Sequence, residues 1–191
     1  RDGIYAATSG GLLYALGRDG TPKWQLDLQS PLTALALGQA IYAGTEDGGV
    51  QEVSFGGNLG WGFTAGGAIT AIVVDVERDP MYVASTDGKL YSLDLEGNLR
   101  WIFSTGGPIH GKPAIDGRSG AIFFGSDDGK LYALDHRGEE IFAAAVDNAI
   151  RSTPMIDVVI KREGAGVRLL RTVYFGAEDQ NVYLIKVQSQ N

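Results

Sequence analysis

Gly129-Lys130-Leu131-Tyr132-Ala133-Leu134-Asp135, closing on Gly138, is written a second time as Gly88-Lys89-Leu90-Tyr91-Ser92-Leu93-Asp94, closing on Gly97 and Trp101. In the same register stand Leu13-Tyr14-Ala15-Leu16, Val50-Gln51-Glu52-Val53 and Val182-Tyr183-Leu184-Ile185. Leu13, Val50, Leu90, Leu131 and Val182 follow one another at intervals of 37, 40, 41 and 51 residues. Self-similarity at that period marks a repeat architecture. The long last interval contains Lys161 to Arg171, which reads as an inserted hairpin or loop of the kind a surface tolerates.

Each unit has the same grammar. An apolar strand such as Ala121-Ile122-Phe123-Phe124-Gly125 meets Asp128-Gly129, then a second strand, then a turn at Gly138, then a third strand. Asp-Gly recurs at Asp47-Gly48 and Asp87-Gly88. Between two apolar runs it predicts a hairpin with a type I′ turn. A large ring comes four residues after the later turn glycine: Gly20 to Trp24, Gly57 to Trp61, Gly97 to Trp101 and Gly138 to Phe142. A ring at one repeated position is expected to dock one unit on the next, burying roughly 150–250 Å².

A further strand is predicted ahead of each hairpin, at Pro31–Leu37, Ala68–Asp75, Pro108–Asp116 and Ala149–Val158. Each full unit is then four consecutive antiparallel strands, A to D, the blade of a β-propeller. The B strands, such as Met81-Tyr82-Val83-Ala84, are apolar without alternation, as expected when both faces of a sheet are covered. The reading is an all-β propeller of about five blade units in a single domain, with repeats at about 3–28, 31–64, 68–104, 108–146 and 149–187. The first unit has B, C and D without A, and the last has A, B and C without D. The expectation is a partial ring, completed to seven or eight blades by upstream blades of the same chain or by an oligomeric partner. A five-bladed ring with irregular closure is the rival.

Composition agrees. Glycine supplies 28 of 191 residues, about 15% against a usual 7% or so, which signals many tight turns. The net charge of −7 argues against nucleic acid or an anionic membrane as partner. Cysteine is absent, which removes disulfide and thiol chemistry. No apolar run reaches the length of a membrane-spanning helix.

A strands line the channel of a propeller, so their polar residues are the candidate ligand contacts. Thr33, Thr70, His110 and Arg151 fall in register, each after an apolar residue, and Lys112 should share the face of His110 on a period of two. Such a ring at a channel mouth could hold an anion or carboxylate, or could merely solvate the funnel. The turn aspartates Asp47, Asp87, Asp128 and Asp179 lack the spaced carboxylates of a calcium loop, and turn chemistry accounts for them. His136 sits in an outer turn. No nucleophile–base spacing, paired histidine ligands or phosphate-cradling loop stands out, so no catalytic residue and no metal site is assigned.

The two units quoted first closely resemble the pyrroloquinoline-quinone-type propeller repeat, and the likeness runs along nearly the whole chain, weakening at Gln51-Glu52 and after Asn148. That family includes quinone-dependent alcohol dehydrogenases, the propeller lipoprotein of bacterial outer-membrane assembly and many binding domains. The turn Asp135-His136-Arg137-Gly138 is one residue shorter than the dehydrogenases' docking turn, and their adjacent cysteines are missing. The resemblance therefore implies a non-catalytic scaffold for a protein, peptide or small-molecule ligand, without cofactor. The alternatives are the C-terminal portion of a quinone-dependent dehydrogenase, whose quinone the resemblance alone would supply, and the ectodomain of a sensor or adhesive protein. Family habit favours a periplasmic or extracellular location.

Overall fold

The computed structural model describes residues 3–75, 77, 78, 80–163 and 166–188. Among these, every helix or strand element is a β-strand, and the strands form five consecutive antiparallel sheets. The first holds β1 (Ile4–Ala7), β2 (Leu12–Leu16) and β3 (Pro22–Asp27). The second holds β4 (Leu32–Leu37), β5 (Ile41–Thr45), β6 (Gly49–Val53) and β7 (Leu59–Thr64). The third holds β8 (Ile69–Val74), β9 (Met81–Ser85), β10 (Lys89–Leu93) and β11 (Leu99–Ser104). The fourth holds β12 (Ala114–Ile115), β13 (Ile122–Gly125), β14 (Lys130–Leu134) and β15 (Glu140–Ala145). The last holds β16 (Met155–Glu163), β17 (Gly166–Gly176) and β18 (Val182–Gln188). Strands pair in sequence order within each sheet.

The core lies between sheets rather than within one. Every residue of β5, β9 and β13 is buried, because both faces of these B strands meet a neighbouring sheet. One apolar cluster joins each successive pair. Leu13 packs with Ile41, Ala43 and Val53; Tyr42 and Val50 with Ile69, Val83 and Tyr91; Tyr82 and Leu90 with Ile122, Phe124 and Tyr132; Phe123 and Leu131 with Ile150, Val173 and Phe175. Outer strands β3, β7, β11 and β15 share one pattern in which only the third and fifth residues are covered. Those third residues are Trp24, Trp61, Trp101 and Phe142.

The sequence expectation fails in two local ways. The Asp-Gly hairpins are not type I′: only the glycines, Gly48, Gly88 and Gly129, take positive φ (93°, 79° and 79°). The aspartates stay at negative φ and use their side chains instead, Asp87 and Asp128 each accepting from the amide two residues on at 3.0 Å. With Gly88 N–H donating to Ser85 and Gly129 N–H to Ser126, each is a type I turn followed by a left-handed glycine.

The A strands of the fourth and fifth sheets begin late, at Ala114 and Met155 rather than near Pro108 and Ala149. Pro108, Pro113 and Pro154 cannot donate to a ladder. The first contact survives in the second to fifth units: the carbonyls of Pro31, Ala68, Pro108 and Ala149 accept from Glu46, Thr86, Asp127 and Glu178 at 2.9–3.0 Å. Beyond it, residues 109–113 and 150–154 leave the ladder.

The stretch from Lys161 to Arg171 takes the hairpin form of the two the sequence offered: Lys161–Glu163 and Gly166–Arg171 continue the β16–β17 ladder outward to the pair Glu163↔Gly166.

Candidate functional site

Thr33 and Thr70 sit where the A–B ladders shift register, between Leu32 and Ala34 and between Ile69 and Ala71. A bulge turns its extra residue away from the regular pleat. Both hydroxyls donate to the next sheet: Thr33 to the Ile69 carbonyl at 2.5 Å, and Thr70 to the Ile109 carbonyl at 2.7 Å. These side chains join neighbouring blades at the start of their inner strands.

His110 and Arg151 occupy the corresponding places in the fourth and fifth units and converge on one carboxylate. Arg151 grips Asp127 with two parallel bonds, Nε to Oδ1 at 2.9 Å and Nη2 to Oδ2 at 2.8 Å. His110 Nε2 stands 3.5 Å from the same Oδ2. The Arg151 hydrogen bond, with the charges of His110 and Arg151, holds the Asp127 carboxyl below the usual range, and Asp127 raises Arg151 in return. Lys112 is exposed, and because residues 109–113 are not strand, a period of two does not put it on the face of His110. Of the five predicted residues, then, two meet on Asp127, two turn to backbone carbonyls of the next sheet, and one faces solvent.

Sequence reading missed Asp127. It adjoins the turn aspartate Asp128, and the doubled acid gave no signal of its own, since Glu46-Asp47 and Glu178-Asp179 repeat it and only Thr86-Asp87 departs. The turn aspartates themselves are engaged. Asp87 accepts from the hydroxyl of Tyr91 and from Gly66 N–H of the preceding sheet's end, at 3.0 Å for the amide. Asp128 repeats this with Tyr132 at 2.6 Å and Gly106 N–H at 2.8 Å, and Asp179 holds Tyr183 at 2.6 Å. Phe63 and Phe103 stand edge-on to Tyr91 and Tyr132 across the same seams.

A second polar seam lies at the far end of the inner strands. Asp116, almost wholly buried, accepts from Arg171 Nε, Ser119 Oγ at 2.6 Å and Arg118 N–H at 3.1 Å. Burial pushes its carboxyl up, but these donors outweigh it and the net shift is downward. Arg78 binds Asp75 at 3.2 Å and reaches the carbonyls of Gly117 and Arg118 in the next unit. Neither arginine role was legible beforehand.

The docking rings behave as one device. Trp24, Trp61 and Trp101 donate Nε1 to Phe55, Leu95 and His136 of the next unit at 3.0, 2.8 and 3.2 Å. Each indole covers the turn glycine beside that acceptor, Gly57, Gly97 or Gly138, where a Cβ would overlap the ring.

The family described as outer membrane protein assembly factor BamB matches residues 1–101 and, overlapping, residues 54–189. The chain belongs to this family. As a BamB-type propeller it is similar in fold to three solved structures. Sqt1 of Saccharomyces cerevisiae has a TM-score of 0.80 at 15% identity, over 97% of this chain and 55% of that one. The computationally designed Ika8 protein has 0.78 at 16%, over 98% and 56%. BamB of Moraxella catarrhalis has 0.68 at 20%, over 98% and 62%. The chain thus spans between 55% and 62% of the length of these propellers. No curated protein matches it. No helix among the described residues is long and apolar enough to cross a membrane.

Proposed function

We propose that this BamB-type propeller is a non-catalytic binding scaffold that presents its channel mouth to a protein, peptide or small-molecule ligand outside the cytoplasmic membrane. The observation that carries the reading is how the mouth residues are used. Thr33, Thr70 and Arg151 fix successive blades to one another, so the rim is rigid before any ligand arrives. Exposed His110 and Lys112 remain on that rim as donors, and a carboxylate or other anion suits them. The family's description as an assembly factor supports a protein partner and a periplasmic setting. Further blades, from the same chain or from an oligomeric partner, complete the ring. No quinone is assigned to it.

The test is selection of peptides from a displayed library on the intact protein, followed by binding to His110→Ala/Arg151→Ala. Loss of binding in the double variant supports the mouth, and undiminished binding removes it. Dye reduction on addition of pyrroloquinoline quinone and calcium would replace the scaffold reading with an enzymatic one.

A further inference from the structure

Four of the five units carry a tyrosine at one register position of strand C: Tyr14, Tyr91, Tyr132 and Tyr183. The second unit carries Gln51 there. In the third and fourth units the ring crosses the seam to the preceding sheet, edge-on to Phe63 or Phe103. Its hydroxyl donates to the turn aspartate, Tyr91 to Asp87 and Tyr132 to Asp128.

The second unit departs on this whole face. Across the β6–β7 ladder Gly49 pairs with Thr64 and Gln51 with Gly62. The third unit has Lys89 with Ser104 and Tyr91 with Ile102 in those places, and the fourth has Lys130 with Ala145 and Tyr132 with Ala143. Two side chains are thus reduced to glycine, and the glutamine does not stand in for the ring. Its Nε2 turns along its own sheet and donates to the carbonyls of Glu52, Gly60 and Trp61 at 3.0, 3.1 and 2.9 Å. The outcome is a cavity of about 200 Å³ whose walls include Leu28 of the first unit and Asp47, Gln51, Gly62 and Thr64 of the second. All of its walls come from residues 28–64, well inside the chain. It is smaller than the roughly 300–1,000 Å³ of a drug-sized ligand site and suits a single ring.

Asp47 is the polar group of this cavity. Asp87 and Asp128 each accept a tyrosine hydroxyl and a glycine amide of the preceding sheet. Asp47 accepts instead from Thr45 Oγ1 at 2.5 Å, and the amide in the aligned place, that of Gln29, donates to Asp27 at 2.8 Å. Hydrogen bonds from the Thr45 and Ser30 hydroxyls hold the Asp47 carboxyl below its usual range. Asp47 is therefore ionised at neutral pH, and it faces the cavity purely as an acceptor.

We propose that this cavity binds a para-hydroxyphenyl group, its ring held between Leu28 and the segment Gly62–Thr64 and its hydroxyl donating to Asp47. The next two seams supply the template, since Tyr91 and Tyr132 set a ring against the preceding sheet and a hydroxyl on the turn aspartate. A free phenol and a tyrosine side chain of a partner present the same chemistry. The cavity shares no residue with the channel mouth, so either site can fail alone.

The probe is para-cresol, titrated into the isotope-labelled intact protein and followed by backbone amide shifts. Saturable shifts centred on Gly49 and Gly62 are expected, with a dissociation constant on the order of 1 mM for so small a ligand. Toluene keeps the ring but lacks the hydroxyl, and should bind about tenfold more weakly. Asp47→Asn should erase most of that difference, because a charge-assisted bond becomes a neutral one. Gln51→Tyr supplies the ring from the chain itself, and should abolish para-cresol binding and raise the urea midpoint. Should that variant fail to fold, Gly62→Ile, the residue of the third unit, blocks the cavity from its floor. Competition by acetyl-Gly-Tyr-Gly-amide that is tighter than para-cresol assigns the site to a partner's tyrosine, and weaker competition assigns it to free phenols. The proposal is overturned by absence of saturable shifts at Gly49 and Gly62, by equal binding of toluene, or by para-cresol binding that survives the blocking substitution.

Discussion

The indole of Trp61 lies across Gly97, thirty-six positions later in the chain, and hands its Nε1 proton to the carbonyl of Leu95, two residues before that glycine, at 2.8 Å. One side chain thus supplies apolar area, a hydrogen bond and a steric lock to the next blade. Its repetition at Trp24 and Trp101 sets the stacking of the sheets.

Trp61→Ala should therefore destabilise the protein by about 3 kcal/mol, the low end for a Trp truncation because the ring is only half-buried. Urea unfolding followed by circular dichroism measures it. Phe142→Ala should cost less, since phenylalanine has no N–H to donate.

The receiving glycine makes a sharper comparison. Gly97 and Gly20 have the same φ of 84°, but a Cβ on Gly97 would strike the Trp61 ring while one on Gly20 meets nothing within 4 Å. Gly20→Ala should cost about 1–2 kcal/mol, the backbone term alone. Gly97→Ala adds an overlap of about 1–3 kcal/mol. Paired unfolding midpoints check the order; equal losses would mean that the indole yields freely.

The tryptophans were legible because they recur at a fixed interval from a turn glycine within one unit. Their acceptors were not, because contact between Trp61 and Gly97 joins two units and leaves no within-unit period. The inner strands were misjudged at Pro108, Pro113 and Pro154, where apolar spacing persists but the backbone donor does not. Arg171 was hidden differently: it ended a stretch that read as an insertion, yet its partner Asp116 is fifty-five residues earlier. At the starts of the inner strands, residue types at register positions were readable, whereas the carboxylate that gathers His110 and Arg151 sat disguised beside a turn residue.

Arg171→Ala leaves Asp116 buried without its cation, and breaking a buried pair on one side costs about 3–5 kcal/mol. Asp116 has a folded-state value below its ordinary one. Its contribution is therefore present at pH values above about 4, the unfolded carboxyl's range, and disappears as pH falls through the folded value. The stability gap between the wild-type protein and Asp116→Asn should accordingly be wide at neutral pH and narrow in acid. Guanidinium midpoints across that range decide it, and a constant gap would assign the cost of Asp116→Asn to packing.

The Tyr91 clamp titrates at the opposite end. Burial first, and then its hydrogen bond to Asp87, push the phenol up from 10.0 to about 12. The neutral phenol is the form the folded state prefers. Its contribution is complete below pH 10 and is lost as pH climbs from there toward about 12. Tyr91→Phe removes the donor to Asp87 while keeping the ring edge-on to Phe63, so at pH 8 it should cost about 1–2 kcal/mol. Above pH 10 the variant's stability should fall less steeply than the wild-type protein's. The measurement is urea unfolding at a series of alkaline pH values with tyrosinate absorbance read on the same samples. Parallel alkaline slopes in the two proteins would show that the Tyr91 proton is not tied to the seam between the second and third blades.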